Sequence, residues 1–380
     1  ENYVPDPEMY RKTIDITEFQ FRYKSDQDNT FTNVLDGRGK WENVIIPDYR
    51  GPAGEDGKWT GFYRTEFDFC KTHGKRVYIV FKGVDYTANV YLNNKFIGGH
   101  EGFFAPFEFD ITDTLQEHNV LVVEVNNDYP TLGVQDKPIL DGDKLYAATG
   151  PGWDDPNVGW HHCPPGAGIY NSVYIEERGK IFVHDIFVLP DIDDHSIEVW
   201  VDIFSSKDHV VQDITVDISV YSRNFHGEKK IDTKIDVPYA GPGMNYYRYR
   251  IPFDDYRLWE PENPWLYTAR VSIWKENELL DVSDRNFGMR KFHSDEVNEP
   301  KGTLYLNNRP IILRGANEMG HLQQCVMQKD FEQLVDDILI AKLANMNFYR
   351  VTQRPVQEEI YDYFDMLGMM HQCDFPLFGT

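Results

Sequence analysis

The stretch FEQLVDDILIAKLANMNFYRV, residues 331–351, marks a change of periodicity in this 380-residue chain. Its first half places apolar residues at the three- and four-residue spacing of one helix face: Phe331, Leu334, Val335, Ile338 and Leu339. Its last four residues, 348–351, include aromatic and β-branched types and predict a strand. The stretch therefore predicts a helix followed by a short strand.

The same order of elements continues toward the C-terminus. A second helical pattern has apolar residues at Val356, Ile360, Phe364 and Leu367. It ends at Gly368, a residue type that terminates helices by adopting the left-handed conformation. Residues 369–375 then predict another strand.

Two further strands are predicted before these helices, at 304–306 and 311–313, with a turn at Asn307-Asn308 between them. Strands that alternate with helices form parallel βα units, which build either an open α/β sheet or a (β/α)₈ TIM barrel. Residues 303–380 are far fewer than the roughly 250 of a complete barrel. We therefore expect this segment to be the N-terminal, incomplete part of such a domain.

Residues 1–178 predict an all-β domain. Short runs such as 76–81 and 119–125 alternate apolar and polar residues and are separated by turn residues. Asn93-Asn94 lies between two such runs and can supply the positive φ angles of a tight hairpin. Many short strands of this kind are typical of a jelly-roll β-sandwich.

A second all-β segment spans 179–292. Residues 197–203 and 214–220 alternate strictly between apolar and polar types. A segment of about 110 residues with this pattern predicts an immunoglobulin-like β-sandwich. The polar stretch 293–302, which contains Pro and Gly, predicts a linker into the βα segment.

Composition narrows the class of partner. A formal charge of −24 repels phosphate backbones and anionic lipids, so we expect no nucleic acid and no membrane partner. The acidic surface with 8 Trp and 23 Tyr residues is compatible with sugar ligands, although a solvated acidic face over aromatic cores is the more ordinary explanation. The start of the chain shows no signal-peptide pattern, and no apolar run is long enough to span a membrane.

No cofactor is expected. The four cysteines are far apart, with no C-x-x-C pair. His161-His162-Cys163 invites a zinc interpretation, but adjacent residues rarely face one metal and no second ligand pair follows at a suitable spacing. A structural or catalytic Mg²⁺, Na⁺ or Ca²⁺ ion is left open, without a motif that indicates one.

Six motifs occur in a characteristic order along the chain: WTGFYRTEF (59–67), FKGVDYTANVYLN (81–93), HEGFFAPFEFDIT (100–112), GIYNSV (168–173), FGMRKF (287–292) and LNNRPIILRGAN (306–317). Together they resemble the N-terminal portion of glycoside hydrolase family 2, the group of β-galactosidases, β-mannosidases and β-glucuronidases. The resemblance implies a jelly-roll sugar-binding domain over 1–178, an immunoglobulin-like domain over 179–292 and the start of a TIM-barrel catalytic domain over 303–380.

The resemblance also implies an activity. Family members are retaining exo-β-glycosidases that hydrolyse terminal β-linked sugars with two Glu residues, an acid/base and a nucleophile, about 5–5.5 Å apart. In the family these residues follow the fourth and seventh barrel strands, so we expect them beyond Thr380. The alternative is a non-catalytic carbohydrate-binding protein built on the same domains.

Barrel sites form at the C-terminal ends of strands, where this chain offers several polar residues. Arg350 matches the family's arginine that holds the nucleophilic carboxylate; a purely structural salt bridge is the alternative. The candidate sugar contacts of this region are Asn317, His321, Gln353 and Asp374, and Glu318 also follows the first strand. The alternatives are loop capping by Asn317, a surface position for His321 and orientation of Arg350 by Asp374.

Two positions depart from the β-galactosidase pattern, because Met319 and Gln353 stand where those enzymes commonly have His. The stretch 371–376 is closer to the Gln-Asp-Phe motif of β-mannosidases.

A loop of the first domain supplies further candidates. In the family this loop extends over the barrel mouth, where an Asp can accept sugar hydroxyls and a Trp can stack on the ring. The candidates here are Asp154, Asp155 and Trp160. The alternatives are turn residues and interdomain packing.

The expected partner is therefore an oligosaccharide or polysaccharide substrate. A homo-oligomer is compatible with large β-domains. A role in polymer breakdown suggests a periplasmic or extracellular location.

Overall fold

The fold is that of a computed structural model, which describes residues 10–24, 31–50, 59–127, 167–206, 211–227, 229–352 and 355–375. These residues form two antiparallel β-sandwiches followed by a parallel βα segment. The predicted succession of all-β segments and an α/β segment is confirmed.

The first sandwich consists of these elements: β1 (Thr13–Asp15), β2 (Glu18–Tyr23), α1 (Phe31–Leu35), β3 (Glu42–Ile45), β4 (Thr60–Asp68), β5 (Arg76–Phe81), β6 (Thr87–Leu92), β7 (Lys95–Glu101), β8 (Phe107–Asp110), β9 (His118–Asn126) and β10 (Val173–Arg178). One sheet has the order β1-β10-β5-β8 and the other β3-β2-β4-β9-β6-β7. Large aromatic side chains fill the space between the sheets, among them Trp59, Tyr63 and Phe81.

The hairpin between β6 and β7 follows its turn chemistry. Asn93 and Asn94 have φ values of 50° and 63°, the left-handed conformation that the turn requires. The predicted turn is confirmed. The Asn93 side-chain amide also donates to the carbonyl of Thr114 at 3.0 Å, which ties the turn to the chain beyond β8.

The second sandwich consists of these strands: β11 (Ile181–Asp191), β12 (Ser196–Ser205), β13 (Val211–Ser222), β14 (Ile231–Ala240), β15 (Gly243–Pro252), β16 (Trp259–Glu260), β17 (Asn263–Pro264), β18 (Tyr267–Lys275) and β19 (Glu278–Phe287). Sheet β11-β12-β15 faces sheet β14-β13-β18-β19. Over 197–203 in β12 and 214–220 in β13 every second residue is buried, as the alternation predicts.

The last segment consists of these elements: β20 (Phe292–Asp295), β21 (Thr303–Leu306), β22 (Arg309–Pro310), β23 (Gly315–Glu318), α2 (His321–Met327), α3 (Phe331–Leu343), β24 (Phe348–Val351), α4 (Glu358–Leu367) and β25 (Met370–Cys373). The parallel sheet has the order β23-β24-β25. Gly315 permits its close pairing, because a Cβ there would lie 1.9 Å from the carbonyl oxygen of Phe348.

The predicted linker over 293–302 is wrong in its first part. Residues 292–295 are strand β20, which pairs with β21 so that the His293 ring stacks on Tyr305 with centroids 5.1 Å apart. The Asp295 carboxylate accepts hydrogen bonds from the backbone N–H groups of Val297 and Asn298 and closes the turn. The polar residues therefore form a hairpin.

The predicted strand over 311–313 is also wrong. A side-chain amide replaces strand pairing there: Asn347 Oδ1 accepts from the backbone N–H of Arg314 at 2.8 Å, and its Nδ2 donates to the carbonyl of Ile312 at 3.1 Å. The strand that enters the parallel sheet begins only at Gly315.

The two predicted helices are confirmed as α3 and α4, and α2 is a helix that periodicity did not indicate. Asp330 caps α3 by accepting from the N–H of Gln333 at 3.0 Å. Helix α4 begins at Glu358, after Val356, and ends at Gly368 with φ 74°. Its buried residues and those of α3 cover one face of the parallel sheet.

Candidate functional site at the barrel strand ends

The three parallel strands end at one edge of their sheet. Their register places Asn317 beside Arg350, and Arg350 beside Gln372. Residues in register on neighbouring strands project from the same face of a sheet. This face carries polar side chains with exposed or half-buried surfaces, whereas the opposite face packs on helices. The register therefore brings a polar row to the C-terminal edge.

Arg350 and Asp374 form an ion pair at this edge. Nη2 of Arg350 lies 2.5 Å from Oδ2 of Asp374, and Nε lies 3.3 Å from Oδ1. The backbone N–H of Asp374 donates to the carbonyl of Val351 at 3.2 Å, which holds Asp374 next to β24. Gln372 Nε2 donates to Oδ1 of Asp374 at 3.0 Å. The two-point contact fixes the plane of the guanidinium group.

This ion pair contributes little to stability. The Arg350 side chain is 42% exposed, and that of Asp374 is 14% exposed. Partly exposed pairs contribute roughly 0–1 kcal/mol, because water screens the charges and two side chains lose freedom. The pair therefore orients an arginine whose remaining N–H donors can meet a ligand.

The residues that follow β23 have different surroundings. Asn317 is exposed at the strand end. His321 is the first residue of α2, and its Nε2 lies 2.7 Å from Oδ2 of Asp337 on α3. Met319, which lies between Asn317 and His321 in the sequence, is half-buried. The structure thus brings Asn317, Arg350 and Asp374 to one edge and pairs His321 with a neighbouring helix.

Glu318 has a structural contact that the strand pattern did not indicate. Its buried carboxylate accepts hydrogen bonds from the backbone N–H groups of Gly320 at 2.8 Å and Leu322 at 3.0 Å. These N–H groups belong to the start of α2 and have no partner within the helix. An acidic residue just before a helix is the sequence signal for such a contact.

Tyr361 and Cys373 form a further contact at the strand ends that the sequence did not reveal. The Tyr361 hydroxyl donates to Sγ of Cys373 at 3.4 Å and accepts from the N–H of Val356 at 3.1 Å. Burial raises the pKa of this hydroxyl, and the contact with Cys373 raises it further. The hydroxyl is therefore a donor at neutral pH and ties α4 to the end of β25.

The first sandwich contacts the βα segment beside this edge. Lys82, after β5, forms ion pairs with Glu358 and Glu359 in the first turn of α4, at 2.9 Å for Glu359 Oε1. Burial lowers the pKa of Lys82, but the two carboxylates outweigh this effect and the pKa is raised overall. The amine therefore stays charged and holds the two units together.

A cavity of about 110 Å³ lies at the same contact. Lys82, Tyr170, Gln323 and Gln357 are among the residues that line it. Tyr170 belongs to the GIYNSV motif of the first sandwich, and its hydroxyl donates to the carbonyl of Phe103. The cavity shows that the first sandwich is adjacent to the loop that follows β24.

Comparison with known protein families covers all three units. The galactose-binding domain-like model of glycosyl hydrolase 2 matches residues 52–138, the glycosyl hydrolases family 2 model matches 181–290, and the family 2 TIM barrel domain model matches 297–376. The three models follow one another in the order of the sandwiches and the parallel segment. The chain belongs to glycosyl hydrolase family 2.

Individual relatives of this family 2 chain carry names with different sugars. A β-galactosidase of Thermoanaerobacter pseudethanolicus is 25% identical over 85% of this chain and 40% of its own length. A β-glucuronidase of Streptococcus agalactiae is 24% identical over 79% of this chain and 46% of its own. The crystal structure of β-D-mannosidase from Dictyoglomus thermophilum has a TM-score of 0.73 at 22% identity, over 96% of this chain and 47% of its own.

This family 2 chain spans less than half of the length of these three relatives. Several of its predicted site residues lie outside the described residues: Asp154, Asp155, Trp160 and Gln353. The stretch 161–163 lies outside them as well. Across the part of the chain that the structure describes, no helix has the length and apolar character needed to cross a membrane.

Proposed function

We propose that this chain is the N-terminal part of a retaining exo-β-glycosidase that hydrolyses terminal β-linked sugars in carbohydrate degradation. The observation that carries the proposal is the Arg350–Asp374 pair at the C-terminal edge of three parallel strands. Family membership supports a glycosidase, and active sites of barrel enzymes form at this edge.

Arg350 has a positioning role in the proposed mechanism. The catalytic acid/base and nucleophile are two Glu residues of later barrel strands, expected beyond Thr380. Arg350 donates N–H groups to the nucleophilic carboxylate and keeps it ionised, because a neighbouring cation favours the charged form. Asp374 orients the guanidinium group through its two-point contact.

The sugar contacts of the proposal come from two sides of the cleft. Asn317, Gln353 and Asp374 belong to the strand ends, and Asp154, Asp155 and Trp160 belong to the loop of the first sandwich. The ion pairs of Lys82 with α4 support this arrangement, because they hold that sandwich beside the strand ends. His321 is left out, since its ring is engaged with Asp337.

The proposed enzyme has a substrate specificity of the β-galactosidase or β-mannosidase type. Gln353 and Met319 depart from the β-galactosidase pattern, and the stretch 371–376 is closer to β-mannosidases. Breakdown of oligosaccharides or polysaccharides also favours a periplasmic or extracellular protein.

Hydrolysis by the full-length protein that contains this chain tests the proposal. Nitrophenyl β-galactoside, β-mannoside and β-glucuronide are each supplied, and the anomeric configuration of the first-formed sugar is read by NMR. We expect turnover of one glycoside with retention. Inversion contradicts the mechanism, and sugar binding without turnover supports the non-catalytic alternative.

Residues 1–380 alone provide the second half of this test. They are expected to hydrolyse none of the three glycosides, because the proposed Glu pair is absent from this stretch. Measurable hydrolysis by residues 1–380 contradicts the placement of the catalytic residues beyond Thr380.

A further inference from the structure

Three metal-ligating side chains converge in the connection between β23 and β24, on helices α2 and α3. His321 and Cys325 are four residues apart on α2 and therefore share one face of that helix. Asp337 lies on the adjoining helix α3. A ring nitrogen of His321, Sγ of Cys325 and a carboxylate oxygen of Asp337 all lie within 4.8 Å of one another.

We propose that His321, Cys325 and Asp337 bind a zinc-like divalent transition-metal ion. The set provides one nitrogen, one sulfur and one oxygen donor, which are the three ligand types of protein zinc sites. Mg²⁺ and Ca²⁺ prefer oxygen ligands alone, so a thiol and an imidazole select against them. The His321 side chain is 67% exposed, which leaves a fourth position open to water.

The distance between His321 and Asp337 suits this coordination after a small movement. Tetrahedral zinc with bonds of about 2.0–2.3 Å separates its ligand atoms by roughly 3.3–3.6 Å. The His321 Nε2 to Asp337 Oδ2 distance of 2.7 Å is that of a hydrogen bond. The exposed imidazole can therefore withdraw by a fraction of an ångström when an ion replaces the shared proton.

Supporting contacts already orient two of the ligands. Gln333 Nε2 donates to Oδ1 of Asp337 at 2.7 Å, which leaves Oδ2 directed at His321. The Glu318 carboxylate fixes the first turn of α2, where His321 begins the helix. Hydrogen bonds of this kind hold ligands in place in known metal sites and increase their affinity.

A catalytic Cys–His–Asp triad is the competing interpretation of the same three residues. A nucleophilic cysteine needs a lowered pKa and access to substrate. Cys325 is buried, and burial together with the carboxylates of Asp337 and Asp330 raises the pKa of its thiol. The same negative field attracts a cation, and a coordinated ion displaces the thiol proton. The surroundings therefore favour metal binding over nucleophilic catalysis.

Metal titration of the full-length protein tests the proposal independently of any sugar assay. The protein is freed of metal with a chelator, and Zn²⁺ binding is measured by calorimetry and by competition with a chromogenic chelator. Co²⁺ serves as a second probe, because a sulfur-to-cobalt absorption band reports thiolate coordination. We expect one equivalent of Zn²⁺ and this absorption band.

Single substitutions assign the ligands. His321→Asn, Cys325→Ser and Asp337→Asn are each expected to weaken Zn²⁺ binding at least tenfold, and Gln333→Leu about tenfold by releasing Asp337. His118→Asn is the matched control, because His118 likewise pairs with a carboxylate, that of Asp68 in the first sandwich. Circular dichroism verifies that each variant folds.

Two results overturn the proposal. One is the lack of stoichiometric Zn²⁺ binding at micromolar concentration. The other is binding that survives Cys325→Ser but is lost in Cys163→Ser, since the ion would then belong to the stretch 161–163. Loss of glycoside turnover has no bearing on either result, so failure here and failure of the proposed glycosidase activity are distinguishable.

Discussion

Arg178 and Arg350 both pair with carboxylates, yet they lie in different surroundings. Arg178, at the end of β10, makes a two-point contact with Glu108 at 2.6 and 2.7 Å and also contacts Glu176. Its side chain is 6% exposed, and its guanidinium lies 4.9 Å from the ring centre of Phe182 in the second sandwich. Among the described residues, Arg350 has one carboxylate partner, and its side chain is 42% exposed.

The difference in burial gives the two arginine–carboxylate pairs different roles. Burial lowers the pKa of Arg178, but Glu108 and Glu176 outweigh this effect and raise it overall, so the residue is locked as a cation between two sandwiches. Removing one partner of a buried pair leaves charges without compensation. Arg350 gains little from its pair and keeps donors available for a ligand. Matched substitutions at the two residues test this contrast.

The largest effect is expected for Arg178→Met. Loss of the guanidinium leaves Glu108 without its cation and weakens the pairing of Glu176, which keeps its 3.6 Å contact with Arg11. The free energy of unfolding should therefore fall by about 3–5 kcal/mol. Urea denaturation followed by tryptophan fluorescence measures the change. Arg38→Met, at a side chain that is 72% exposed, is the control and should change stability by roughly 0.5 kcal/mol or less. If the free energy of unfolding of Arg178→Met falls by less than about 1 kcal/mol, burial does not distinguish Arg178 from Arg350.

Arg350→Met should change stability little and lower activity strongly. The free energy of unfolding is expected to change by less than about 1 kcal/mol, because the pair is partly exposed. In the full-length protein, glycoside turnover should fall roughly 10²–10³-fold, as for loss of one positioned donor in an active site. Steady-state kinetics on the preferred nitrophenyl glycoside measure this. A destabilised protein with normal kcat would show that Arg350 is structural.

Asp374→Asn should have a smaller effect on the same reaction. The amide keeps the shape but loses the charge that orients Arg350, so we expect turnover to fall about tenfold, which is roughly 1.4 kcal/mol. Stability should stay within about 1 kcal/mol of the wild type. Asp255→Asn, in an exposed ion pair with Lys230, is the control and should keep full activity. Equal activity of the Asp374 and Asp255 variants would show that Asp374 does not belong to the active site.

Asp85 is a buried carboxylic acid whose hydrogen-bond partner, Asn127, is uncharged. Its Oδ1 accepts a hydrogen bond from the Asn127 amide at 2.6 Å, and burial raises the pKa of its carboxyl well above 3.8. Above about pH 4 the folded state then holds one more proton than the unfolded state, so stability should decline as pH rises toward the raised pKa.

The expected slope is at most about 1.4 kcal/mol per pH unit for this one proton. Urea denaturation between pH 5 and 8 measures it, and Asp85→Asn should remove this contribution and stabilise the protein at the upper pH. Asp113→Asn, at an exposed position, should leave the slope unchanged. Identical slopes for wild type and Asp85→Asn would show that Asp85 is not protonated in the fold.

Local patterns predicted much of the fold. Alternation over 197–203 predicts β12, helical spacing predicts α3, and the turn at Asn93-Asn94 and the end of α4 at Gly368 follow from residues that tolerate positive φ. Each of these signals depends on residues two to four positions apart, so the chain carries it without tertiary context.

Predictions from these local patterns were wrong where a side chain distant in sequence forms the hydrogen bonds of the backbone or packs against it. Asn347 occupies the backbone groups of Arg314 and Ile312, 33 and 35 residues away, and ends the strand predicted over 311–313. Stacking of His293 on Tyr305 likewise turns part of a predicted linker into a strand. A polar segment without periodicity gives no sign of such partners.

The sequence by itself determined the two all-β segments and the βα segment, because these depend on residue type and local spacing. It also made Arg350 and Asp374 candidates, through their position after predicted strands and through the family resemblance. Only the tertiary structure decided which charges meet. The parallel register places Asp374 against Arg350 across 24 residues, and helix packing places Asp337 against His321. Side chains distant in sequence form a site only when packed strands and helices set the distance and direction between them.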